Sequence, residues 1–192
     1  MPKPIGVLAL QGDVREHRQT FAELGIETIE VKRPEQLELI RGLVLPGGES
    51  SVIEKLAKIY GLYEPIKSAI QAGLPVFGTC AGLIMLANKI EDAIDGQEGF
   101  GGLNAVVRRN AFGHQVDSFE ADLPFTGIDG PVHAAFIRAP LIESVGDGVE
   151  IVSTLPNGGI VGIRQGKLLG ISFHPEVTGE HRIHRLFDSM CA

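Results

Sequence analysis

The chain has 192 residues, 44% of them hydrophobic, enough to bury one substantial core, so a single globular domain is expected over residues 1–192. Its formal charge is -7, from 24 acidic and 17 basic residues, which gives no general attraction to nucleic acid or to an anionic membrane surface. The opening MPKPIGVLALQG has too short an apolar run to span a bilayer and no small-residue cleavage site, and the only cysteines, Cys80 and Cys191, do not make a disulfide framework; a reducing, cytoplasmic setting is the simplest expectation.

Ile5 to Leu10 is a buried-strand pattern, followed by Val14, His17, Phe21 and Leu24 on one helical face. Ile26 to Val31 forms a second strand pattern and leads through Pro34 into a short helix. Leu43-Val44-Leu45 is a third, running into Pro46-Gly47-Gly48-Glu49-Ser50 and then helical spacing at Val52, Ile53, Leu56, Ile59 and Tyr60. After Pro65 to Ala72 come a short strand pattern, Pro75-Val76-Phe77, a Gly-Thr-Cys-Ala-Gly turn, and a helix carrying Leu83, Leu86, Ala87 and Ile90. Strand alternating with helix predicts an α/β fold whose mostly parallel sheet is covered on both faces. Beyond a loop at Gly96 to Gly102, short apolar runs at 105–107, 132–137, 150–154, 160–163 and 168–173 sit between turn residues and predict antiparallel additions. Ile183, Leu186, Phe187 and Met190 then share one face of a closing helix.

Gly78-Thr79-Cys80-Ala81-Gly82 lies between a strand and a helix, the setting of a nucleophile elbow. Small residues two before and two after the nucleophile let the chain reverse. The following helix would aim its amides at the sulfur, with the Ala81 amide placed for a developing oxyanion. Taken alone, the pentapeptide fits a small buried cysteine in a tight turn equally well. Cys191, without glycine neighbours, reads as structurally incidental.

A thiol nucleophile needs a base and a group to orient that base, and Phe173-His174-Pro175-Glu176 offers both. In an extended segment His174 and Glu176 project to the same side, at the end of a strand, where open α/β sheets collect their sites. A surface turn is the plain alternative for this tripeptide by itself. His17, His114, His133, His181 and His184 have no such adjacent acid and read as structural or exposed. Pro46-Gly47-Gly48-Glu49-Ser50 ends a strand and opens a helix, so its amides could complete an anion pocket, with Ser50 or Ser51 as helix cap. It lacks the spacing and the Lys-Ser/Thr pair of a phosphate loop.

In this order, PGGES at 46–50, GTCAG at 78–82 and HPE at 174–176 resemble the class I (triad) glutamine amidotransferases. The segments 12–17, 32–37, 116–121 and 136–140 are similar to the glutaminase subunits of pyridoxal 5′-phosphate synthase. The resemblance implies a flavodoxin-like three-layer fold in which Cys80 forms a glutamyl thioester, His174 is base and then acid, and Glu176 orients His174. It implies glutamine contacts at Gly48, Glu49, Ser50, Arg109, Ile137 and Arg138, and an oxyanion hole from the Gly48 and Ala81 amides. A guanidinium suits the α-carboxylate of glutamine, although Arg108 beside Arg109 leaves that assignment open by one position. It further implies hydrolysis of L-glutamine with ammonia passed to a (β/α)₈-barrel synthase in a hetero-oligomeric complex, without cofactor or metal. Residues 90–100 align least well and read as loop variation, and Gly47-Gly48 could flip to switch the oxyanion hole. Competing readings are the glutaminase subunit of imidazole glycerol phosphate synthase, a cysteine peptidase or stress-response hydrolase on a related sheet, and a regulatory module without activity. The segments near 12–17, 116–121 and 136–140 speak against the first.

Overall fold

The computed structural model describes residues 1–110 and 118–192. The first half lays down β1 (Ile5–Leu8), α1 (Val14–Glu23), β2 (Thr28–Val31), a 3-10 turn over Pro34–Leu39, β3 (Gly42–Leu45), α2 (Ser50–Ile59), α3 (Tyr63–Gln71), β4 (Val76–Thr79) and α4 (Ala81–Leu86). The second half adds β5 (Ala87–Glu91), β6 (Leu103–Arg108), β7 (Ser118–Phe125), β8 (Ile128–Ile137), β9 (Leu141–Val145), β10 (Glu150–Thr154), β11 (Ile160–Gln165), β12 (Leu168–Ile171), α5 (Pro175–Thr178) and α6 (His181–Met190).

Among the described residues, ten strands form one sheet in the order β2-β1-β3-β4-β12-β11-β9-β6-β5, with β10 also paired to β11. The run from β2 to β12 is parallel throughout. From β12 outward, β11, β9 and β6 are antiparallel to their neighbours, and β5 lies parallel to β6. This is a mixed, mostly parallel sheet flanked by helices.

Strands β1, β3, β4 and β12 are buried at every position. Successive side chains go to opposite faces, so Leu43 and Leu45 join one core with Ile53, Ile66 and Leu83, while Val44 joins the other with Phe21, Phe77 and Phe187. Two cores, one on each face, make a three-layer arrangement. No helix among the described residues is long and apolar enough to cross a membrane.

The structure departs from the sequence reading in four places. The helix expected through Ile90 stops at Leu86, where Ala87 turns extended and β5 pairs with β6; Ile90 keeps helical phase with Leu83 by coincidence of spacing. β9 lies outside the apolar runs of the sequence, because LIESV sets two adjacent apolar residues before two adjacent polar ones and has no alternation. β7 was not anticipated either, and it pairs with β8 as a separate two-stranded sheet rather than joining the main one. Its apolar Phe119, Ala121, Leu123 and Phe125 alternate strictly and face the second core, a legible period-2 signal. Finally, His174-Pro175-Glu176 is not extended: proline opens α5 and Glu176 lies within that helical turn.

Candidate active site

Four parallel strands deliver their following loops to one edge of the sheet: β1 leads to Gln11-Asp13, β3 to Pro46-Ser50, β4 to Cys80 and β12 to His174. That carboxyl edge is where a doubly wound sheet leaves a crevice.

Cys80 links β4 directly to α4 with φ 51° and ψ -105°, a conformation that costs a non-glycine residue about 1–3 kcal/mol and persists only when its surroundings impose it. Here they do. A Cβ at Gly78 would lie 2.5 Å from the Gly82 carbonyl, and one at Gly82 would lie 2.0 Å from the Leu45 carbonyl oxygen, so the reversal admits no side chain at either position. The Cys80 amide donates to the Ile171 carbonyl at 2.9 Å, and its thiol points at the Ile137 carbonyl at 3.9 Å. Cys191 differs: it is half-buried behind α6, and burial pushes its thiol up to about 12.

His174 Nδ1 donates to Glu176 Oε1 at 2.6 Å. Both residues are buried. Burial opposes a charge on His174, but hydrogen bonds with Asp13, Cys80 and Glu176 outweigh it and hold the imidazolium well above its ordinary range. Burial likewise raises the Glu176 carboxyl, against the pull of His174. The pair therefore retains a proton between its members. Asp13, which the sequence reading passed over, brings Oδ2 to 3.3 Å from His174 Nδ1. A Cβ at Gly47 would sit 2.5 Å from His174 Cε1, so glycine there is what lets the imidazole lie against the loop.

The Gly47 carbonyl accepts from the Asp13 amide at 3.0 Å, so a flip of the Gly47-Gly48 peptide would have to break that bond. The Glu49 amide donates to Gln11 Oε1 at 2.8 Å. Glu49, not Ser50 or Ser51, caps α2: its carboxylate accepts from the Ser51 amide at 3.3 Å and hydroxyl at 3.0 Å. The same carboxylate accepts from Arg109 Nη2 at 2.8 Å, and Arg109 Nη1 donates to Gln97 Oε1 at 2.9 Å. Gln97 in turn donates to Ser50 Oγ at 2.8 Å. Arg109 is thus a buried, doubly anchored guanidinium, whereas Arg108 points outward to Asp92 and Glu143. The 90–100 segment, read from sequence as mere loop variation, contributes the Gln97 that positions both Arg109 and Ser50.

These groups enclose a cavity of about 330 Å³, near the lower end of ligand pockets and suited to a molecule of amino-acid size. Gly48, Glu49, Ser50, Cys80, Ala81, Arg109, Ile137, Arg138 and His174, all singled out from sequence, line it. Glu176 stands behind His174. Asp13, His174 and Glu176 hold donor atoms within 4.8 Å of one another, but the Nδ1 that a metal would need is already hydrogen-bonded to Glu176. Of the remaining histidines, His17 and His184 are fully buried, His181 lies 2.6 Å from Glu23, and His133 does have acid partners, Glu120 and Asp122, supplied across the hairpin by β7. His114 and residues 116–117 of the segment 116–121 lie outside the described residues.

A model of the SNO glutamine amidotransferase family matches residues 7–192. The pyridoxal 5′-phosphate synthase subunit PdxT of a Nocardioides species is 55% identical over 187 residues, covering 95% of this chain and 93% of that one. Its counterpart from Clavibacter sepedonicus is 56% identical, covering 97% and 90%. A crystal structure of a glutamine amidotransferase superposes with a TM-score of 0.92 at 47% identity, covering 97% of this chain and 98% of that one. PurLQS from Thermotoga maritima, at 16% identity and a TM-score of 0.70 over 100% of this chain and 99% of that one, shares the fold. By sequence and by architecture, this chain belongs to the SNO glutamine amidotransferase family.

Proposed function

We propose that the chain, as one amidotransferase domain, is the glutaminase subunit of a pyridoxal 5′-phosphate synthase, hydrolysing L-glutamine to L-glutamate and ammonia. The observation that carries this reading is one small cavity with Cys80 and the His174–Glu176 pair on one side and the Arg109–Glu49 ion pair on another. A free amino acid is a zwitterion at one end. Arg109 offers its α-carboxylate a guanidinium, and Glu49 offers its α-ammonium a carboxylate, which leaves the side-chain amide to reach the sulfur. Ser50, held by Gln97, adds a polar contact, and Ile137, whose carbonyl faces the Cys80 thiol, and Arg138 complete the lining.

Cys80, its proton held by His174, attacks the carboxamide carbon as thiolate. The negative charge that develops on the carboxamide oxygen is met by the Gly48 and Ala81 amides. His174 gives its proton to the departing nitrogen, so ammonia leaves and a glutamyl thioester remains. His174 then takes a proton from water, the hydroxide attacks the thioester, and glutamate departs as the sulfur is released. Glu176 orients the imidazole and stabilises its charged form throughout. Every step uses groups already in the cavity wall or directly behind it.

Ammonia released to water becomes mostly ammonium and loses its nucleophilicity, so the product has value only beside an acceptor. The relatives are named as subunits of a synthase, and the cavity mouth carries the exposed apolar Ile137 and Val177, which support docking against a (β/α)₈-barrel synthase subunit in a hetero-oligomeric complex. The test is glutamate release from glutamine by the purified chain, alone and mixed with the synthase subunit. Stimulated release that disappears in Cys80→Ala, with docking intact, is expected. No release in either condition overturns the glutaminase reading, and release indifferent to the synthase overturns the partner.

A further inference from the structure

Beneath the cavity runs a buried polar chain that the reaction above does not use. His17, on α1, is fully buried. Its Nδ1 lies 2.8 Å from His184 Nε2 on α6, and its Nε2 lies 3.1 Å from Thr79 Oγ1 and 3.7 Å from Glu176 Oε1. Thr79 immediately precedes Cys80. His17 therefore touches the strand end that carries the sulfur and faces the carboxylate that orients the imidazole, two parts of the site that come from different strands.

The protonation of this chain follows from its geometry. Burial keeps both rings neutral: it holds His17 well below its ordinary value, helped by His184 and His174, and brings His184 to about 3, helped by His181. Two neutral imidazoles in contact share one N–H. If His17 carried it on Nδ1, the only N–H of His184 would be on Nδ1, which is buried and has no partner among the described residues, at a cost of about 1–3 kcal/mol. A bare His17 Nε2 lone pair would then face the Glu176 carboxylate. With His184 protonated on Nε2 instead, it donates to His17 Nδ1, and the His17 Nε2–H donates to Thr79 Oγ1 with its positive end towards Glu176. Only the second arrangement leaves no buried N–H unpaired and no lone pair against the carboxylate.

We infer that His17, as its neutral Nε2–H tautomer, is a positioning residue of the glutaminase, tying the Thr79–Cys80 elbow to Glu176 and keeping that carboxylate ionised behind His174. The inference rests on the Cys80–His174–Glu176 reading. The charged or titratable groups around Glu176 are His174 from its own loop, Asp13 from the loop before α1, and His17 from α1; those around His17 are His184, His174 and Glu176. Removing the Nε2–H removes a favourable dipole at the carboxylate, so Glu176 becomes easier to protonate and the acid limb of kcat/KM moves to higher pH.

Three variants measured with the synthase present, and one spectrum, decide the matter. In His17→Leu, kcat should fall about tenfold, the scale of losing an orienting group, with KM little changed and the acid limb displaced upward by about one pH unit. His17→Gln places an amide N–H where Nε2 was and should restore the wild-type limb. His17→Asn places it towards His184 and should not. The Gln and Asn variants decide the question even where the Leu variant fails to fold, because a purely structural role predicts the same limb for both. Nitrogen-15 spectra of the wild-type chain should show His17 protonated on Nε2. Identical pH profiles in all folded variants, or a His17 protonated on Nδ1, overturn this inference alone, whereas a wild type without glutaminase activity overturns the reading beneath it.

Discussion

The two halves of the main sheet do different work. From β2 to β12 the strands are parallel and β1, β3, β4 and β12 are buried on both faces, and the loops after those four strands carry Asp13, the Gly47-Gly48 turn, Cys80 and His174. From β11 to β5 the pairing is mixed, burial alternates as in β6, and the contribution to the cavity is its wall: Arg109 beyond β6, with Ile137 and Arg138 from the hairpin end beside it. Parallel strands all point their ends the same way, so a nucleophile, its base and an oxyanion donor can converge without long excursions. Antiparallel strands distribute their ends to both edges and supply recognition groups at the perimeter.

The largest way to break that division lies along β3. Gly47, just past its end, would bring a Cβ to 2.5 Å from His174 Cε1, so Gly47→Ala should displace the imidazole and cost about 100-fold in turnover, since an ångström of misplacement is worth that much. Gly42, at the other end of the same strand, would bring a Cβ to 2.4 Å from Cys191 Sγ, the tip of a side chain. Gly42→Ala should lower the thermal midpoint, by the roughly 1–3 kcal/mol of overpacking, and leave turnover unchanged. Equal effects on turnover from the two variants would erase the distinction between the ends.

The wall is probed by neighbouring arginines. Arg109→Lys gives up the fork that reaches both Glu49 and Gln97, and should reduce kcat/KM for glutamine by about 10- to 100-fold, as expected for losing hydrogen bonds to charged groups of about 1.5–3 kcal/mol. Arg108→Ala, whose guanidinium meets Asp92 and Glu143 at the surface, should change it less than about twofold. Steady-state kinetics on the pair discriminates the two positions.

Much of this was legible in the sequence because its signals are local. Gly78 and Gly82 announce the elbow, and the structure shows the carbonyls that exclude a side chain at each. The PGGES and HPE segments fall where strand ends place them. What escaped is what depends on contacts across the fold. Asp13 is a helix-start aspartate by pattern, and only the docking of α1 beside the Gly47 loop brings it to His174. Gln97 sits in a segment without periodicity, and its role exists only through Arg109 and Ser50. The HPE segment was read as extended because residues two apart share a side in a strand; Pro175 instead starts a helical turn, and the two side chains still meet because His174 stands just before that turn as its cap. β7 carries a plain apolar alternation, but Glu120 and Asp122 at its exposed positions and Pro124 within it weaken the strand signal.

The smallest effect lies in the hairpin outside the main sheet. Hydrogen bonds with Asp122 and then Glu120 raise the exposed His133 above its ordinary value. A group whose folded value is raised contributes stability that is fully present below its unfolded value, about 6.5, and is lost as the pH rises through the folded one. The thermal midpoint of the wild type should therefore fall slightly more than that of His133→Gln as the pH is taken from 6 upward, with glutaminase activity untouched. A midpoint difference of the opposite sign would place the cross-strand cluster outside the stability of the hairpin.

The central claim is that Cys80, held at the end of β4 against His174, is the nucleophile, while Cys191 is a half-buried thiol kept protonated by burial. Its most direct test is to treat the chain, with the synthase present, with an electrophilic glutamine analogue and to map the modified peptide by mass spectrometry. The account predicts one adduct on Cys80, slowed by competing glutamine; an adduct on Cys191, or labelling of Cys80 that glutamine does not protect, would contradict it.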